Sequence, residues 1–116
     1  MDRYGMCGKI LAKEGQRDAL LEILLEASRT PMKGCEIYIV SKSPTEPDAI
    51  WVMEVWQTEA DHAASFKLDS VKTLLNKARP IMAGGGTESI LMVPVGGKGL
   101  EAREAIDARS QSVHCV

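Results

Sequence analysis

The sequence predicts an α+β fold: a four-stranded antiparallel sheet in split βαβ order, with helices on one face. Three observations carry this. Hydrophobic spacing switches between strand-like and helix-like in the order strand, helix, strand, strand, helix pair, strand. The segment SKSPTEPD, with two prolines, separates two strand-like runs and reads as a hairpin turn. The aliphatic stripe after the first strand is long enough to cover one sheet face and leaves the other bare.

Residues 3 to 13 alternate loosely and end at Glu14-Gly15 as the first strand. Residues 16 to 29 form a helix in which Leu20, Ile23, Leu24 and Ala27 recur at helical spacing and Leu21 and Leu25 widen the stripe. Thr30-Pro31 stops it. In the second strand, residues 33 to 41, alternation puts Cys35, Ile37 and Ile39 on one face and Tyr38 and Val40 on the other. Residues 49 to 57 are the third strand, antiparallel to the second across the hairpin. Thr58-Glu59-Ala60-Asp61 fits a capping box with Asp in the place of Glu, opening a short helix to about Lys67. Asp69 or Ser70 caps another, with Val71, Leu74, Leu75 and Ala78 on one face and Pro80 at its end. Gly84-Gly85-Gly86 is a link, residues 87 to 95 the fourth strand, and GGKGL a break. Residues 1 to 95 thus make one domain. Residues 96 to 116 make a tail with the beginnings of a short helix (Ala102, Ala105, Ile106) but few apolar residues to pack it.

Composition narrows the function. A net charge of -2 with dispersed basic residues argues against nucleic acid and against an acidic membrane surface. No apolar run approaches the roughly 20 residues of a membrane span. The start, MDRYGMCGKI, lacks a basic segment followed by a long apolar core, so no signal peptide is expected. Cys7, Cys35 and Cys115 are widely spaced and form no CxxC, which fits free thiols in a reducing cytoplasm. His114 and Cys115 have no second pair to complete a metal site, so none is expected. GGKGL lacks the remainder of a phosphate loop and reads as a turn. The bare sheet face calls for a homodimer stacked sheet on sheet, with Trp51, Met53 and Val55 in a buried layer of more than about 1,000 Å².

The stretch WVMEVWQTEADHAASF, residues 51 to 66, concentrates both tryptophans, the single phenylalanine and one of two histidines. On a strand, Ile50, Val52, Glu54 and Trp56 point one way and Trp51, Met53 and Val55 the other. Glu54 is therefore a carboxylate among apolar groups, which is costly unless it is paired or faces a cavity. His62, Ser65 and Phe66 share a face of the next helix, so His62, Ser65 and Trp56 are expected to line one pocket. Imidazole is suited to proton transfer near neutral pH. Ser65 lies on the same helix turn as His62 and has no hydrolase triad around it.

With those motifs placed, the chain resembles the antibiotic biosynthesis monooxygenase family, small dimeric proteins of ferredoxin-like fold whose paired sheets form a dimeric α/β barrel. The resemblance rests on AKEGQRDALLEIL after the first strand, PMKGCEIYIV at the second, and EVWQTEADHAASFKLDSVKTLLNKARPIM, and runs from about residue 5 to residue 95. It implies oxidation of a phenolic, quinol or polyketide-like aromatic substrate by molecular oxygen, without metal, flavin or haem. It implicates His62 as proton acceptor or hydrogen-bond partner, with Trp56, Ser65 and Glu54 binding substrate; Phe66, on the helix face of His62 and Ser65, is expected to join them as a substrate-binding residue. Haem-degrading relatives use an Asn, a Trp and a His; those places here hold Gly8, Ser65 and Leu75, so that activity is not implied. The same fold also serves isomerases and non-catalytic or stress-related binders, which stay open as alternatives.

Overall fold

In a computed structural model the structure describes residues 1–84 and 88–100. Strands β1 (Tyr4–Leu11), β2 (Cys35–Lys42), β3 (Ala49–Trp56) and β4 (Glu88–Met92) form one antiparallel sheet in the order β2-β3-β1-β4. Helices α1 (Arg17–Ser28), α2 (Glu59–Ser65) and α3 (Asp69–Ala78) follow in the expected order. This is the ferredoxin-like split βαβ arrangement, and its sheet has one open face. The expected short helix beyond residue 100 lies outside the described residues.

Alternation along β3 sets the layers. Ile50, Val52 and Trp56 are buried under the helices, and Leu20 of α1 and Ala78 of α3 pack with Ile50 and Val52 in the core. Fully burying side chains of this size contributes about 1.5–3 kcal/mol each. The hairpin register pairs Tyr38 with Glu54 and Val40 with Val52. Its turn is fixed by Ser43, whose Oγ accepts the amides of Thr45 and Glu46. Thr58 caps α2 as the sequence predicts, its Oγ1 accepting the Asp61 amide at 3.1 Å.

Three details depart from the sequence reading. Neither Asp69 nor Ser70 caps α3. The cap position is Leu68, and Asp69 is the first helical residue, where its charge favours the positive helix end. The fourth strand stops at Met92, because Pro94 has no amide to continue the ladder. Cys35 does not share a face with Ile37: an irregularity between them inserts an extra residue, so Cys35 falls opposite Trp56 on the helix side.

The open face is ordered in rows. Ile39, Met53, Cys7 and Ile90 form one row across all four strands, and Ile37, Val55, Gly5 and Met92 form the next. Ile39, Met53, Ile90 and Met92 are exposed. Val55 is already buried within the single chain, so it is not part of the bare surface expected of it. Arg3, also buried, reaches Glu36 near that end of the sheet. Lys9 pairs with Glu46 and lies over the Trp51 ring near the opposite end.

Candidate functional site

The end of β3 and the start of α2 build the site. Glu54 and Trp56 are two apart on one strand, so their side chains rise from the same face. The Trp56 indole donates from Nε1 to Glu54 Oε1 at 3.0 Å, and both residues are buried. The β1–β3 register places Tyr4 opposite Trp56. The Thr58 cap then aims α2 so that its first turns fold back over this corner.

His62 enters from α2. Its Nε2 lies 3.8 Å from Glu54 Oε1, an ion-pair distance for a protonated imidazole but beyond hydrogen-bond range. Nε2 is buried and makes no hydrogen bond among the described residues. Rings on three sides hold the imidazole: Tyr4 stacks on it at 4.9 Å, and Trp56 and Phe66 meet it edge-on at 5.4 and 5.1 Å.

Beside this cluster, between the sheet and the helices, is a cavity of about 90 Å³. Glu54, Trp56, Ser65 and Phe66 lie in its wall together with Tyr38 of β2. The rest is aliphatic, supplied by α1 (Ile23, Leu24, Ala27), α3 and Met32. Four of the five residues singled out from the sequence thus meet one cavity. His62 is not among its wall residues, so the expected shared pocket of His62, Ser65 and Trp56 does not form as such. The ring turns toward Tyr4 and reaches the cavity through Glu54. Ser65 is tied down as well: its hydroxyl donates to the His62 carbonyl at 2.6 Å, leaving only its lone pairs for a ligand.

Electrostatics follow from burial. Desolvation pushes the Glu54 carboxyl above its ordinary range, opposed by the Trp56 hydrogen bond and by His62. Burial, aided by the Glu54 charge, raises the Tyr38 phenol, which stays protonated. Tyr4 is raised by burial and by the charges of Glu59 and Glu54. The half-buried Cys35 thiol, behind Trp56 on the same face, is pushed up to about 11 by burial and by Glu54 and Glu36. It is a neutral thiol at physiological pH, not a nucleophile. The cavity wall therefore carries one basic group, Glu54, and one protonated phenol, Tyr38. Among the described residues no three His, Cys, Asp or Glu side chains converge as a metal site, and no helix is long and apolar enough to cross a membrane.

Tyr4 and Tyr38 were not singled out from the sequence. Each joins the site through strand register, a long-range property, and the only local sign is an aromatic ring at an alternating strand position.

The antibiotic biosynthesis monooxygenase family profile matches residues 4–77. A structure provisionally assigned to that activity, from Chloroflexus aurantiacus J-10-fl, is 44% identical, with 85% of this chain and 99% of that one covered and a TM-score of 0.79. Two others with the same provisional assignment share the fold. The protein of Caulobacter crescentus CB15 is 17% identical, with 82% and 92% covered and a TM-score of 0.73. That of Nitrosomonas europaea is 16% identical, with 81% and 91% covered and a TM-score of 0.69. No curated protein matches the chain. The chain belongs to the antibiotic biosynthesis monooxygenase family. That membership supports a monooxygenase-like function in general terms.

Proposed function

We propose that the protein is a cofactor-independent monooxygenase that uses molecular oxygen on a small phenolic, quinol or polyketide-like aromatic substrate. One observation carries the reading: the buried Glu54 carboxylate, fixed by Trp56 in the wall of an otherwise mainly apolar cavity. A carboxylate raised by desolvation is a stronger base than one in water, and it is aimed at a space where an aromatic ring would leave its hydroxyl little else to bond.

For a phenol with a free ring position the sum is phenol plus oxygen to quinone plus water. Glu54 takes the phenolic proton. The electron-rich phenolate gives one electron to oxygen, and the resulting radical and superoxide join in a carbon–oxygen bond. The peroxide takes the proton back, its oxygen–oxygen bond breaks, and the ring carbon loses its hydrogen. One oxygen atom stays as the new carbonyl and the other leaves as water. The substrate supplies all the electrons. Burial excludes water from the phenolate, and Trp56, Phe66 and the aliphatic wall hold the ring in place. His62 acts through Glu54: when protonated, its imidazole at 3.8 Å stabilises the carboxylate by charge.

The protein is proposed to work as a homodimer through the row of Ile39, Met53, Cys7 and Ile90, since an exposed apolar band of this continuity needs a cover. A monomeric mass by light scattering at micromolar concentration would end that part. A reducing cytoplasm suits the free Cys7 and Cys35 thiols. The functional test is oxygen uptake with isotopically labelled oxygen over a panel of phenols and quinols. The expected result is one labelled atom in the product and one in water, with no added cofactor. Ligand-induced melting shifts with no oxygen consumed would overturn the oxygenase reading in favour of a binder.

A further inference from the structure

We infer that the cavity selects a single hydroxylated aromatic ring and rejects fused two-ring and larger aromatics, which narrows the polycyclic substrates the family resemblance allows. This rests on the cavity being the substrate site.

Volume decides it. The space is about 90 Å³, whereas an aliphatic cavity of about 150 Å³ takes one benzene ring. One ring therefore already has to press side chains outward. A second fused ring needs still more displacement, and only the yielding part of the wall supplies it cheaply. The wall is unequal in its ability to yield. Trp56, Leu74 and Ala78 are buried in the core, and close-packed groups do not move for a ligand cheaply. Phe66 is 48% exposed and Leu75 half-buried, so the wall yields on that side.

Polarity sets the rest of the class. Glu54 Oε1 is engaged by Trp56, while Oε2 makes no hydrogen bond among the described residues. The site thus asks for a hydroxyl donor on the ring. The α1 side of the wall, Ile23, Leu24 and Ala27, has no side-chain partner for a charge, and Glu54 itself repels an anion. A neutral one-ring phenol or quinol fits; a ring carboxylate does not.

The test is a ladder of neutral quinols built on benzene, naphthalene and anthracene, with the intact protein and with Leu75→Ala and Phe66→Ala. Binding is read from melting shifts and turnover from oxygen uptake above the Glu54→Gln background. The benzene quinol is expected to bind at least about tenfold more tightly than the naphthalene one, with the anthracene quinol not bound. Either wall variant should narrow the gap between one and two rings; two variants are used so that a folding defect in one leaves the other. Equal or tighter binding of the larger rings to wild type overturns the size selection, whatever the oxygen result. Failure of every ring to shift the melting temperature overturns it too. If only the benzene quinol binds and no oxygen is consumed, the size selection holds and the oxygenase reading falls.

Discussion

Two charged groups are buried near the same end of the sheet, and they are treated in opposite ways. Arg3 and Glu36 close on each other through two contacts, Nε to Oε1 at 2.7 Å and Nη2 to Oε2 at 3.3 Å. Among the described residues Glu54 has only a neutral indole N–H at 3.0 Å and an imidazole 3.8 Å away. The bidentate pair matches charge to charge and geometry to geometry, which is how burial of ions is tolerated. Glu54 is buried without a full counter-charge, and the cost appears as a raised carboxyl pKa. The first arrangement ties the start of β1 to β2. The second keeps a base short of partners beside a cavity. Incomplete neutralisation, rather than burial as such, marks the group available for chemistry.

The widest separation between the two should come from Glu54→Gln. The amide still accepts from Trp56, so the fold is kept, while turnover falls about 10²- to 10⁴-fold. Oxygen uptake per folded protein checks it. Arg3→Met should do the reverse. Leaving Glu36 without its partner is expected to cost about 3 kcal/mol in urea unfolding, with the rate per folded molecule unchanged. A rate loss larger than the loss of folded protein would place Arg3 in the chemistry and break the contrast.

His62→Ala is a smaller perturbation, because the imidazole acts through Glu54. A rate loss on the order of tenfold to a hundredfold is expected, with a shift in the pH profile that a purely structural role would not produce. Equal rates would reduce His62 to packing against Tyr4.

The sheet and helices were legible because their signals are local: alternation in β3, the stripe of α1, the Thr58 cap. The facing of Glu54 and Trp56 followed from the same alternation. What was not legible depends on pairing between distant segments. Tyr4 and Tyr38 reach the site through strand register, and Arg3 finds Glu36 across 33 positions. Simple alternation puts Cys35 on the wrong face, because an inserted residue resets the alternation with no change in composition. Helical spacing puts His62 on one face with Ser65 and Phe66, but whether its ring turns to the cavity or to Tyr4 depends on a β1 side chain.

The smallest effect is on stability against pH. Glu54 has a folded pKa above its unfolded value, so the native state holds a proton that the unfolded state releases. Its favourable contribution is complete below the ordinary carboxylate range and is lost as pH rises through the folded value. Glu54→Gln should therefore melt a few degrees above wild type at neutral pH. That difference should shrink as the pH falls toward the ordinary range. Thermal melts of both proteins across pH check it, and a constant difference would contradict the buried, under-partnered carboxylate.

The claim that Glu54 is the base is tested most directly by the pH dependence of kcat/KM for oxygen uptake on a one-ring quinol, wild type beside Glu54→Gln. Wild type should lose rate on the acid side, because only the carboxylate accepts the proton. The midpoint should lie above the ordinary carboxylate range, and the residual rate of the variant should lack that limb. The same acid limb in both proteins would show that another group takes the proton, and Glu54 would join Arg3 and Glu36 as structure.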